Sequence, residues 1–428
     1  MRRGIERLRG FREIYPEDQR VRRRLFQAFV EVAQSFGFEE VEAPSVEPLE
    51  LFRLKSGEEI LAQTWSFRDK GGREVTLVPE LTPSIARMVA RRRDLPRPLK
   101  WFSIAKMWRY EEPQAGRLRE FWQFNADIFG SPYPEADAEV IALSCAYLDR
   151  VGLRSQYEVR VSDRYSMEAI LGPRAGEIFP IIDRMPKVGE GETRAALSAL
   201  GLSDSEAERV LEIASVRGRW EEVRSTVKRL GAPDYRLRVL DELFLVLDSY
   251  GLGDRVIVDL STVRGLAYYT GIVYEGRDRA GRHRAIFGGG RYDGVVSLLG
   301  GRETPATGMG MGDAVLELML REAGLWGLEA PRADAVVMWI GGDRELSLAA
   351  RAAAALREAG LRVDLEVMRR RPSRVLSRAS REGVRLAVIV GEEEASVGEV
   401  SLKDLESGRQ VRVPVGELPS AARALLGG

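Results

Sequence analysis

Histidine and cysteine are nearly absent from this chain of 428 residues, which holds one of each, His283 and Cys145. That scarcity removes whole classes of chemistry. A lone cysteine excludes an intrachain disulfide framework and a multi-cysteine zinc site. A lone histidine leaves no histidine metal cluster, and catalysis by a Ser-His pair or a histidine proton shuttle is all but excluded. Cys145 sits in the apolar run EVIALSCAYL and reads as a buried core thiol, while His283 lies in the charged stretch GRDRAGRHR. Also missing is any run near the roughly 18 to 20 apolar residues that a membrane span needs. The opening MRRGIERLRG lacks the apolar centre of a secretion signal, so the expected location is the cytoplasm, with no membrane partner. Net charge is missing too. Lys and Arg number 65 and Asp and Glu 65, so any nucleic-acid contact must come from local clusters.

What is present concentrates between residues 263 and 294. Arg264-Gly265-Leu266-Ala267-Tyr268-Tyr269-Thr270-Gly271 runs into the β-branched Ile272-Val273-Tyr274, and Gly288-Gly289-Gly290-Arg291-Tyr292-Asp293-Gly294 closes the stretch. Consecutive glycines leave no side chain between backbone and ligand. An arginine and two adjacent tyrosines beside them supply a fixed cationic fork and hydroxyls that donate or accept. The set suits a flat polar ligand carrying an anionic group. The plainer reading is a charged hairpin with the glycines as its turn, but the Arg-Gly-Leu-x-Tyr-Tyr block favours the functional one.

The rest of the chain, at a length fit for two or three domains, supplies the frame. Val21, Leu25, Ala28, Phe29, Val32 and Phe36 predict a helix over 16–36 that stops at Gly37. A short strand in FEEVEAPSVEP follows, closed by Pro44. Residues 66–68 and 74–78 predict strands around Lys70-Gly71-Gly72. Pro79-Glu80-Leu81-Thr82 leads into a helix with Thr82 as N-cap and Pro83 at its first position. A carboxylate and a hydroxyl at that junction can grip an ammonium group. KWFSIAKMWRYEEPQAGRLREFWQFNADIFG predicts a strand over 101–109, a basic loop over 113–117 and a strand over 121–129. Gln123 and Asp127, four apart, share a face of the second strand. Residues 165–250 are helical in pattern and carry no sign of catalysis. ATGMGMGDAVLELML reads as a strand entering a helix through Gly308, Gly310 and Gly312.

A linker around Pro331 marks a boundary. Beyond it, strands over 335–340, 361–367 and 386–390 alternate with helices over 344–359 and 373–382. Two more strands meet at Ser407-Gly408, which together predict a parallel-centred α/β domain. The cluster of Arg369, Arg370, Arg371 and Arg374 suits phosphate contacts or a solvated loop equally well.

RGLAYYTG followed by GGGRYDG resembles the histidine-binding pair of signatures of the histidyl-tRNA synthetases, a family of class II aminoacyl-tRNA synthetases. The first helix and Pro44 strand are similar to motif 1, the family's dimer interface. The strand, basic loop and strand are similar to motif 2, and the Gly308 to Gly312 strand with its helix to motif 3. The resemblance implies an α+β catalytic core of the class II synthetase fold, with a mixed, mainly antiparallel sheet, over residues 1–325. A helical insertion at 165–250 would interrupt it and meet the tRNA acceptor arm, and an anticodon-binding-like α/β domain would span 332–428. It implies a homodimer that ligates L-histidine to tRNA-His through a histidyl-adenylate, using ATP and Mg²⁺, with no resident metal site. Arg264 and Arg109 would be the catalytic pair on the α-phosphate. Glu80, Thr82 and Gln123 would hold the α-amino group, Asp127 and Tyr269 would read the imidazole, and Tyr268 and Tyr292 would wall the pocket. Glu111, Arg117, Gly289, Gly290 and Gly310, with Arg109, would hold ATP.

The chain departs from the family pattern at four places. Asp127 stands where the family more often has Glu, Ala267 where most have Asp, Val78 where many have Arg, and Val315 at the motif 3 arginine. Arg291 and Arg302 are the stand-ins the sequence offers for that arginine. These departures raise an alternative, a catalytically weak paralogue acting as a histidine-sensing regulatory subunit or a tRNA-binding accessory protein. The C-terminal domain, which the regulatory subunit lacks, speaks against the first version.

Overall fold

A computed structural model describes residues 5–53, 61–92, 94–263, 268–327 and 332–427. It forms two compact units, residues 1–327 and 328–428. Arg264 and Ala267 lie outside the described residues.

The described residues of the first unit form twelve strands: β1 Glu39–Glu40, β2 Val46–Pro48, β3 Trp65–Arg68, β4 Glu74–Leu77, β5 Leu99–Trp108, β6 Glu120–Phe129, β7 Tyr157–Asp163, β8 Arg217–Gly218, β9 Val256–Asp259, β10 Ile272–Asp278, β11 Phe287–Arg291 and β12 Ala306–Gly312. Nine of them make one sheet in the order β1-β5-β6-β12-β11-β10-β7-β9-β8, and β2-β4-β3 make a small second sheet. Only β1·β5 and β7·β9 are parallel, so the main sheet is mixed and mostly antiparallel.

One face of that sheet is sealed by the helices Pro16–Ser35, Pro134–Arg150 and Asp234–Ser249. The middle one is apolar almost all round and correspondingly buried, including Cys145. Its Tyr147 meets Phe29 edge-on at 5.2 Å, and Phe124 of β6 lies 5.3 Å away. Aromatic pairs in these geometries add to the burial of their area. On the other face, helix Thr82–Arg91 packs with Phe129, Val273, Tyr269 and Tyr292, beneath the strands that carry the glycines.

Between β7 and β9 the chain makes five helices, Arg164–Leu171, Ala175–Ala199, Asp204–Ser215, Trp220–Leu230 and Asp234–Ser249. Ser203 and Glu206 form a reciprocal capping box at the third. The second breaks at Gly189, whose φ of 83° a helix interior does not accommodate.

Several local expectations shift. Thr82 is the first residue of its helix and Leu81 holds the N-cap position without a side-chain cap bond, which leaves Thr82 on a cavity wall. The strand before Pro44 is only two residues long. The chain beyond Pro44, which has no N–H to pair, joins the small sheet instead.

The second unit contains β13 Ala335–Trp339, β14 Val363–Leu365, β15 Leu386–Val390, β16 Glu399–Asp404 and β17 Gln410–Pro414, in the order β14-β13-β15-β16-β17. The first three pair in parallel and the last two add an antiparallel edge. Two short helices, Glu392–Val397 and Leu418–Leu426, join the anticipated Asp343–Glu358 and Pro372–Arg381. Among the described residues no helix is long and apolar enough to cross a membrane.

Candidate active site

A cavity of about 640 Å³ opens over the middle of the main sheet. Its floor follows from register. Across β12 and β6, Gly308 faces Asp127, Gly310 faces Asn125 and Gly312 faces Gln123. Across β11 and β12, Gly288 faces Gly310 and Gly290 faces Gly308. Alternate positions of β12 point the same way, and three of them are glycines. A Cβ at Gly308 would collide with Asp127 and come within 2.8 Å of the Tyr292 hydroxyl, and one at Gly310 would collide with Gln123. These glycines make room for polar side chains arriving from the neighbouring strand.

At one end of the cavity those side chains form a buried polar nest. The Tyr292 hydroxyl donates to Asp127, with Tyr292 and Asp127 only 1% and 4% exposed. Burial first, and then the Asp127 charge, push the Tyr292 phenol well above its ordinary pKa, so it stays a donor. Tyr268 donates to Glu80 at 3.1 Å. Its ring lies 4.9 Å from that of Tyr269 and 6.1 Å from that of Tyr292. Among the described residues Gln123 Oε1 is buried with no hydrogen-bond partner, an orphan acceptor that a donor-rich ligand would satisfy.

The other end is cationic. Arg109, just past β5, is held by Nε donating to the Pro79 carbonyl at 2.9 Å and by the Phe121 ring 5.5 Å beneath its guanidinium. Arg117, on the loop between β5 and β6, pairs with Glu111. Burial raises the Glu111 carboxyl, but the Arg117 bonds and the Arg109 charge outweigh it, and the group ends below its ordinary value. The turn between β10 and β11 completes this wall with Arg282, His283 and Arg284.

The cavity thus collects Glu80, Thr82, Arg109, Glu111, Arg117, Gln123, Tyr268, Tyr269, Tyr292 and Gly310. Asp127 lies directly behind, reached through Tyr292. Gly289 and Gly290 sit on β11 outside the lining, where Gly288 takes the surface. Their missing side chains instead admit the rings of Tyr274 and Tyr269.

Neither stand-in for a motif 3 arginine reaches the site. Arg291 is buried and committed to Asp137, to the Ser131 carbonyl at 2.8 Å and to the Tyr133 carbonyl at 2.9 Å. Arg302 lines a separate cavity of about 230 Å³. Val315 does line the main cavity, so close to the basic loop that a Cβ at Gly116 would lie 2.9 Å from its methyl.

Among the lining residues that escaped the sequence reading are Glu275, Arg277, Arg282 and Arg284 on β10 and its turn, and Asp183 and Lys187 on helix Ala175–Ala199. The helical stretch thus has a part in the site that its sequence did not advertise. The one signal for Arg284 was its place two residues before the apolar Ile286-Phe287 at the start of β11.

The chain is similar to known proteins along nearly its whole length. The family model described as histidyl-tRNA synthetase matches residues 10–313, and the anticodon binding domain model matches residues 334–425. The chain is 43% identical over 422 residues to the histidine–tRNA ligase of Thermoplasma volcanium, covering 97% of each chain. It is 40% identical to that of Picrophilus torridus, over 96% of this chain and 97% of that one. Among solved structures, histidyl-tRNA synthetase from Nostoc shares the fold with a TM-score of 0.81 at 24% identity, covering 99% of this chain and 100% of that one.

Proposed function

The chain belongs to the histidyl-tRNA synthetase family, and from that premise we propose that it ligates L-histidine to tRNA-His in two steps. Histidine and ATP give histidyl-adenylate and pyrophosphate, and the adenylate then passes its histidyl group to the terminal adenosine of the tRNA. The observation that carries this reading is the two-ended cavity, with an acid–phenol pair and an orphan amide oxygen at one end and guanidinium groups at the other.

Each group has work that suits it. Asp127 and Tyr292 present fixed polar partners to an imidazole, and a site so built rejects side chains that would leave those partners unpaired. Glu80, Thr82 and Gln123 Oε1 offer acceptors to an α-ammonium. Arg109 stands between Pro79 and Phe121 where the amino acid carboxylate would meet a phosphate. Attack of that carboxylate on the α-phosphorus spreads negative charge over the phosphoryl oxygens, and a preplaced guanidinium stabilises it without proton transfer. The scarcity of histidine and cysteine is no handicap to such a reaction, because positioning and electrostatics carry it.

Mg²⁺ fits the same site. Among the described residues no cluster of three or more metal-ligating side chains exists, but Glu111 and Glu275 both face the cavity. Mg²⁺ bound to nucleotide needs only one or two carboxylates beside the phosphates. When bound, it would neutralise phosphate charge. A homodimer working in the cytoplasm, with residues 332–428 binding the anticodon, completes the reading.

Histidine-dependent exchange of pyrophosphate into ATP, measured on wild type and Arg264→Ala, tests it. The wild type should exchange, and the variant should fold normally yet exchange at under about 1% of that rate, as for loss of a transition-state charge partner. Absence of exchange in the wild type would favour a regulatory or accessory protein instead.

A further inference from the structure

Arg284 is an exposed residue of the cavity wall, and among the described residues it makes no hydrogen bond and no ion pair. Its guanidinium is thus uncommitted and open to an anionic ligand entering the cavity. Partial desolvation in the cavity, and then the charges of Arg117 and Arg109, weaken its hold on its proton. Glu111 and Glu275 offset this only in part, and Glu111 is already engaged by Arg117. Three guanidinium groups therefore converge on one region of the cavity with too little negative charge to balance them. The helix Asp313–Glu322 brings only Ala314 and Val315 to the cavity and no cation.

We propose that Arg284 grips the two outer phosphates of ATP, the pair that leaves as pyrophosphate, and so supplies from the β10–β11 turn a cation that helix Asp313–Glu322 does not. The inference rests on the ATP reading above and adds a residue to it. The division of labour follows from position. Arg109 adjoins Pro79 and Glu80, next to the amino acid end, and so suits the phosphate under attack. Arg284 comes from the β10–β11 turn and stands with Arg117 and Glu111, where the nucleotide's remaining charge would lie. A guanidinium takes a phosphate in a two-pronged grip, and a trianionic tail would relieve the mutual repulsion of the arginines.

Calorimetric titration of the full chain with ATP, AMP and histidine, each in Mg²⁺ buffer, tests this with Arg284→Gln and Arg284→Lys. Loss of a charge-assisted pair should weaken ATP binding by about tenfold or more in Arg284→Gln, with AMP and histidine binding changed by less than about twofold. Arg284→Lys should recover part of the ATP affinity. ATP affinity unchanged in Arg284→Gln, or AMP weakened as much as ATP, overturns the assignment while leaving the ATP site intact. A wild-type chain that binds no ATP overturns the underlying reading and this one with it. Should Arg284→Gln fail to fold, Arg284→Lys decides: affinity equal to wild type for AMP but reduced for ATP supports the proposal, and equal affinity for both overturns it.

Discussion

At position 308 the side chain is a hydrogen atom, and the neighbouring side chains fix it so. Asp127 and the Tyr292 hydroxyl occupy the volume where a methyl would go, and neither can retreat, since both are buried among the strands and the helix Thr82–Arg91. Gly308→Ala should therefore displace the acid–phenol pair without touching the cationic end. Misplacing a binding group by an ångström can cost about a hundredfold, so the KM for histidine should rise by about that factor while ATP affinity stays within about threefold. An unaltered histidine KM would show that Asp127 and Tyr292 do not hold the ring. Residue by residue, the polar end of the site was legible because it depends on side-chain type and strand parity. Gln123 and Asp127 share a face of β6 as their spacing requires. Arg284 was not legible, because a cation in GRDRAGRHR reads as a solvated turn until the cavity is seen around it.

Elements are held to one another by a few buried charges. Asp313, the first residue of the helix after β12, accepts from Arg12 at 2.7 Å, from Arg22 at 3.0 Å and from the Trp122 backbone at 3.0 Å. It thus ties the glycine strand's helix to the first helix and to β6. Arg22 is itself buried, and burial already pulls its proton affinity down. Asp313→Ala would leave it without its partner, at a cost of about 3–5 kcal/mol. Denaturant midpoints should fall further for Asp313→Ala than for Arg12→Ala, whose side chain reaches solvent. Equal midpoints would remove Asp313 from this role. Strands and long helices were readable from periodicity here, and the paired ten-residue strands β5 and β6 are the clearest case. Periodicity says which face of a helix is apolar and nothing about where a kink aims it. The helix Ala175–Ala199, broken at Gly189, therefore gave no hint that Asp183 and Lys187 line the cavity.

Over the whole molecule, each unit encloses buried clusters of its own. Among the described residues two lie before residue 327 and two beyond residue 332. Units with separate cores can fold separately. A chain ending at Gly327 should keep histidine-dependent pyrophosphate exchange within about fivefold, while its KM for tRNA-His rises by about tenfold or more as anticodon contacts are lost. Loss of exchange in a truncated chain that still unfolds cooperatively would mean that the second unit serves the chemistry as well. The boundary was visible at Pro331, but the two short helices of the second unit were not. Glu392–Val397 offers fewer than two turns, too little for a period to emerge.

A surface made of bare backbone has no depth left to give. Where β12 presents glycines, every substitution adds atoms, so random change can only shrink the chamber, never widen it. Any descendant of this protein that came to accept a bulkier amino acid would have to be remodelled from the rim, at the β10–β11 turn or the kinked helix. Directed libraries aimed at new substrates should spend their diversity there and leave the floor alone.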